Sequence, residues 1–184
     1  LGKAISSGPT PRVAVLGGSK AADSVSIAQN FLEKGVEKIL TGGVVANIFL
    51  LASGVHIGQP SKEFIEKQIP ENIKVISQAK YLLKKYKHKI EIPTDVALNI
   101  EGKRKGASID TLPQNYPLLD IGIDTLVNYI NIIEDAGTII ANGPMGVFED
   151  SEFATGTNEI FSAISKNNGM TVVGGGETAM AFNQ

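Results

Sequence analysis

Four short apolar runs in this chain each stop at glycine or Asn-Gly: "VLGGSK", "ILTGGV", "IIANGP" and "VVGGGE". Ile139, Ile140 and Ala141 suit a strand covered on both faces, as in a parallel sheet. Asn142, Gly143 and Pro144 then force a turn, because glycine permits dihedrals closed to other residues and proline fixes its own. Where such a junction is followed by helical periodicity, it reads as a β-to-α turn. Successive strand–helix units of this kind predict an α/β fold. The architecture expected is a three-layer sandwich around a doubly wound, mainly parallel, Rossmann-like sheet.

Along the chain the expected elements are a strand at Arg12–Gly17 and a helix from Ala22 to Lys34 with Val25, Ile27, Ala28, Phe31 and Leu32 inward. A strand in "KILTGG" and a buried helix in "VVANIFLLASG" follow. Gly54 to Pro70 reads as loop-rich. An amphipathic helix within Glu71 to Lys87 points Ile73, Ile76, Leu82, Leu83 and Tyr86 inward. "KIEIP" is a strand, and "DVALNI" with "EGKRKGASID" is a hairpin whose tip is Gly102 to Gly106. Helices at Asp124–Ala136 and Ser151–Lys166 flank the strand Thr138–Ala141; "MTVVGGG" leads into a last helix near Glu177.

The 184 residues suit one domain with a real core, and 42% hydrophobic with 20% charged residues is ordinary for a globular chain. A formal net charge of -2 gives no general attraction to nucleic acid or an anionic membrane. There is no cysteine, which excludes disulfides and thiolate chemistry, and only His56 and His88 are available for imidazole chemistry. Both histidines read as surface residues. "KKYKHK" reads as a solvated face, and Asp95 and Asp120 as structural caps. No apolar run has the length of a membrane span and "LGKAISSGPTPR" lacks a signal-peptide core, which points to a cytoplasmic protein. A start at Leu1 and a stop inside a helix point to a piece of a longer one.

In an open α/β sheet, ligands bind outside the carboxyl ends of the strands. Missing Cβ atoms there let a ligand reach the backbone, and helix-N-terminal amides favour phosphate. One strand-Gly-Gly-helix junction is equally a plain turn; several on one sheet edge point to an anion site. No G-x-x-x-x-G-K-[ST] is present. "GGGETA" fits the G-x-G-x-x-A form of the dinucleotide fingerprint, but the acidic residue expected about 20 positions later is missing. Lys20, directly after the first glycine pair, suits transferring phosphate oxygens or is a solvated surface lysine. Glu177 suits Mg²⁺ or is a helix-start carboxylate.

Taken together, "VAVLGGSKAADS", "LTGGVVANIFL", "IIANGPMGVFE" and "VVGGGETA" resemble phosphoglycerate kinase, in its carboxyl-terminal, nucleotide-binding domain, and the resemblance covers essentially the whole chain. The Thr-Gly-Gly form of the second motif looks more like archaeal members. The resemblance implies that residues 1–10 end the helix joining two domains and that 11–184 form the nucleotide-binding domain, without the amino-terminal phosphoglycerate-binding domain. It implies the reversible glycolytic transfer between 1,3-bisphosphoglycerate and ADP that gives 3-phosphoglycerate and ATP, with Mg²⁺. A noncatalytic nucleotide-binding module on the same fold is the alternative, and a dinucleotide-dependent oxidoreductase domain a weaker third.

By that resemblance Lys20 and Gly175 are catalytic, Lys20 steadying the phosphoryl group in flight. Gly17, Gly18, Ser19, Gly42 and Gly43 border adenine and ribose. Asn142 approaches the phosphates, Pro144 and Val147 the base and sugar, and Glu149 the ribose hydroxyls. Gly174, Gly175, Gly176, Glu177 and Thr178 surround the β-phosphate, with Glu177 on the metal. The chain departs from the family pattern at Ser24 (a lysine in many members), Val44 and Leu118 (glycines) and Glu177 (an aspartate). It is expected to bind nucleotide weakly and to turn over little or nothing alone.

Overall fold

The computed structural model describes the backbone of residues 1–182 and the side chains of 1–176 and 178–180. At its centre lies β1 (Arg12–Leu16), flanked by β2 (Lys38–Thr41) and β7 (Thr138–Asn142), with β3 (Ile90–Glu91) and β8 (Met170–Gly174) outside them. The order β3-β2-β1-β7-β8 is parallel throughout. Alternate β1 residues serve opposite faces, as a period of two requires. Ala14 and Leu16 pack beneath α2 (Ala21–Glu33), α3 (Gly43–Ala52) and α5 (Asn72–Lys85). Val13 and Val15 pack beneath α6 (Ile123–Glu134) and α7 (Thr155–Lys166). Helices on both faces make this the expected three-layer, Rossmann-like sandwich.

A second sheet, β4 (Asp95–Ile100), β5 (Lys103–Ser108) and β6 (Leu118–Ile121), is antiparallel in the order β5-β4-β6. Ile100 pairs with Lys103, so the hairpin turn is Glu101-Gly102 alone, both at positive φ. The expected tip, Gly102 to Gly106, is mostly paired strand. Leu118–Ile121, to which the sequence reading gave no element, is the third strand.

Two further expectations are corrected. The stretch read as loop holds α4 (Gln59–Gln68): Pro60 sits in its first turn, where a proline costs nothing, and Ile65 anchors it. In α5 the buried stripe is Val75, Ala79 and Leu82, at helical spacing, while Ile73 is 79% exposed. Among the described residues the remaining α-helices are α1 (Gly2–Ser7) and α8 (Gly176–Phe182). His56 and His88 are exposed.

Candidate functional site

Strand register builds the site. Leu16 pairs with Thr41 and with Asn142, and Asn142 with Gly174, so four strands end level along one edge. The junctions after them are therefore neighbours, and backbone hydrogen bonds tie them together. The Gly17 amide donates to the Asn142 carbonyl at 2.9 Å and the Gly18 amide to the Pro144 carbonyl at 2.8 Å. The Gly43 amide donates to the Met145 carbonyl at 2.8 Å, and the Val44 amide to the Gly18 carbonyl at 3.1 Å. Gly143 has φ 91°, and a Cβ there would strike the Gly17 carbonyl, so only glycine lets these two turns close on each other.

The edge opens into two clefts that share Gly18. One, of about 560 Å³, is lined by Gly17, Lys20, Asn142, Gly175, Gly176 and Thr178. Its side-chain chemistry comes from Lys20, Asp23, Ser24, Asn142 and Thr178, with glycine backbone between them. The other, of about 200 Å³, is lined in part by Ser19, Gly43, Pro144, Val147 and Glu149. Apolar side chains, among them Phe64, Pro93, Val96 and Leu118, form its walls. A cleft that carries an ammonium, a carboxylate and an amide thus meets, at Gly18, one walled mainly by apolar side chains, a division that suits a ligand with an anionic tail and a flat apolar head.

Most of the sequence-selected residues fall on these walls, with some differences of task. Gly42 lines neither cleft; a Cβ there would press into Met145, so its smallness serves packing. Gly174 borders an adjoining apolar groove with Leu1, Ile5 and Phe31. The Thr178 hydroxyl is buried and accepts a hydrogen bond from the Gly143 amide at 2.6 Å, which bolts α8 to the turn after β7. The first α3 amides are spent on Met145 and Gly18, so the second glycine pair offers a close-packed wall and not the phosphate-seeking amides expected of it. The Glu177 side chain lies outside the described residues, and the metal role assigned to it with them.

Ser24 is buried in the lysine-lined cleft, and Val44 lines the apolar one. The Leu118 amide donates to the Ser61 hydroxyl at 2.9 Å, which seats β6 against α4. Sequence reasoning missed Asp23, Asn47, Phe64, Pro93 and Val96 as lining residues. Asn47 alone left a signal, as the one polar residue inside "VVANIFLLA". Phe64 lay in the segment read as loop.

Two aspartates hold the surrounding walls. Asp95 accepts from the Asp124 and Thr125 amides at 3.0 and 2.8 Å and so caps α6 from another strand. Asp120, beside the apolar cleft, accepts from the Gly156 amide of α7 at 2.8 Å and from Arg104 Nη1 at 2.6 Å. Burial pushes the Asp120 carboxyl up from its ordinary value, opposed by the Gly156 amide and Arg104. Among the described residues no three His, Cys, Asp or Glu side chains gather as a metal site, and no helix is long and apolar enough to cross a membrane.

A family model described as phosphoglycerate kinase matches residues 1–184. The phosphoglycerate kinase of Thermoplasma acidophilum is 42% identical over 95% of this chain and 43% of its own length. That of Natronomonas pharaonis is 44% identical over 98% of this chain and 45% of its own length. The crystal structure of phosphoglycerate kinase from Pyrococcus horikoshii OT3 superposes with a TM-score of 0.90 at 35% identity, over 98% of this chain and 45% of that one. The Coxiella burnetii enzyme superposes with a TM-score of 0.79 at 31% identity, over 99% of this chain and 47% of that one. The chain therefore spans less than half the length of the relatives it matches.

Proposed function

The chain belongs to the phosphoglycerate kinase family, and from that premise we propose that residues 11–184 are the ADP/ATP-binding half of such a kinase, with residues 1–10 ending the connection to a phosphoglycerate-binding domain outside this chain. The observation that carries the proposal is the pair of clefts meeting at Gly18. Nucleoside and phosphates have opposite needs, and each finds a compartment of matching chemistry. Base and ribose lie against Gly43, Pro144 and Val147, with Glu149 toward the ribose hydroxyls. The phosphates run past Gly18 toward Lys20, Asn142, Gly175 and Gly176.

In the forward direction a β-phosphate oxygen of ADP attacks the phosphorus of the acyl phosphate. The bond from phosphorus to the carboxylate oxygen breaks, leaving 3-phosphoglycerate and ATP. An acyl phosphate is already activated, so the protein must supply orientation and charge neutralisation more than a base. Lys20 is the ammonium on the cleft rim that can follow the moving phosphoryl group. The Asn142 amide and the Gly175–Gly176 backbone fix the attacking β-phosphate oxygen beside it.

Mg²⁺, where it binds, neutralises charge shared between phosphate oxygens and is held mainly by them with one or two carboxylates. This chain fits such an ion. Asp23 lines the phosphate cleft, Glu177 stands in the first turn of α8, and a Cβ built at Gly176 would meet nothing within 4 Å.

Calorimetry tests the assignment. Titration with Mg-ADP is expected to give one weak site, and NAD no comparable heat. Preference for NAD would overturn it. A coupled assay with ATP and 3-phosphoglycerate is expected to show little or no turnover by this chain alone and recovery when a phosphoglycerate-binding domain is restored. Binding without recovery would favour a noncatalytic nucleotide module.

A further inference from the structure

We infer that Asn47 reads the edge of the nucleobase and sets the preference among purines, an inference that rests on the nucleotide cleft proposed above. Asn47 stands four residues after Gly43 on α3, so the two share a face, with Asn47 about 6 Å further along the helix. Both line the apolar cleft. Ser19 and Glu149, on the same lining, are exposed, whereas Asn47 is half-buried.

The cleft's other side-chain polar groups are exposed or already committed. Ser19 and Glu149 are exposed. Asp120 is engaged by Arg104, Gly156 and Ile121. The half-buried Asn47 amide has no hydrogen-bond partner among the described residues. Left open to the cleft in this way, the amide has both a donor and an acceptor free for a ligand. A purine edge does so with two bonds: Oδ1 accepts from the exocyclic amine of adenine while Nδ2 donates to the neighbouring ring nitrogen. A carboxylate at the same place has acceptors only. It would match the N1–H and 2-amino donors of guanine and set lone pair against lone pair at the adenine ring nitrogen.

The test is calorimetry of the 184-residue chain and its Asn47→Ala and Asn47→Asp variants with ADP, GDP and inorganic tripolyphosphate. Asn47→Ala is expected to weaken ADP about tenfold, the worth of one good amide–base pair. Asn47→Asp is expected to move the GDP-to-ADP affinity ratio at least about tenfold toward GDP. Tripolyphosphate, which has no base, should bind all three proteins alike and also reports that each is folded. ADP affinity untouched in Asn47→Ala, an unmoved ratio in Asn47→Asp, or equal loss of ADP and tripolyphosphate would each overturn the inference. If the unaltered chain takes tripolyphosphate but no nucleotide, the proposed function fails and this reading with it. If it takes ADP and Asn47→Ala takes it equally well, only this reading fails.

Discussion

The Gly143 amide and the Thr178 hydroxyl, 35 residues apart in the chain, meet at 2.6 Å in a site closed to water. That bond holds the first turn of α8 against the turn that ends β7, and so brings Gly175 and Gly176 to the same cleft as Asn142. Thr178→Val keeps the shape and removes the acceptor, leaving a buried amide unpaired. A loss of about 1–3 kcal/mol in urea unfolding is expected, together with weaker tripolyphosphate binding. Unchanged stability would show that α8 is held by other means.

Lys20 gives the opposite pattern. It is exposed, and its ammonium has no ion-pair partner among the described residues. Lys20→Ala should alter stability by less than about 0.5 kcal/mol. ADP or tripolyphosphate affinity should fall about tenfold, the scale of a charge-assisted contact. The loss should shrink as salt is raised. Equal nucleotide affinity in Lys20→Ala would place the phosphates elsewhere.

Asp120 carries a pH signature. Burial is the main influence and raises its carboxyl, against the Gly156 amide and Arg104, so the folded protein protonates more readily than the unfolded chain. Its contribution to stability is then full below the ordinary carboxylate value and is lost as pH rises through the raised one. Urea unfolding of the unaltered chain and Asp120→Asn across the acid range should show the unaltered chain gaining on the variant as pH falls. The reverse trend would mean that Arg104 outweighs burial.

Glu37 should behave in the other sense. Burial again is the largest single influence and pushes up, but the Arg12 guanidinium and amide together outweigh it and hold the carboxyl below its ordinary value. The Arg12 amide donates to Glu37 Oε2 at 2.8 Å, and Arg12 Nη1 reaches the Ile5 carbonyl at 2.6 Å, so this pair also anchors α1. Its contribution is present above the ordinary glutamate value and lost as pH falls through the lowered one. Glu37→Gln should therefore flatten the acid limb of the stability curve that the unaltered chain displays. An unchanged limb would remove the pair from the account.

Local signals carried most of the fold. Val13–Leu16, Ile39–Leu40 and Ile139–Ala141 are apolar runs cut by glycine, and both features act within a few residues. What stayed hidden depends on contacts made across the chain. The helix in the stretch Gly54 to Pro70 stayed hidden, because the tolerance of Pro60 in a first helical turn depends on where the helix starts. Ile73 looked inward because the phase of α5 is set by the wall that Val75, Ala79 and Leu82 meet. At the site, the glycine motifs located the edge, but the spending of the Val44 amide on Gly18 and of the Thr178 hydroxyl on Gly143 follows from strand register. No local pattern encodes that.

Backbone amide NMR of this chain under titration with Mg-ADP reaches the central claim most directly. The account predicts shifts concentrated at Gly18, Ser19, Val147, Gly175 and Gly176, on both sides of the Gly18 hinge, with α4-distal surfaces such as His88 unmoved. Shifts confined to one cleft, or gathered around the groove of Leu1 and Phe31, would contradict it.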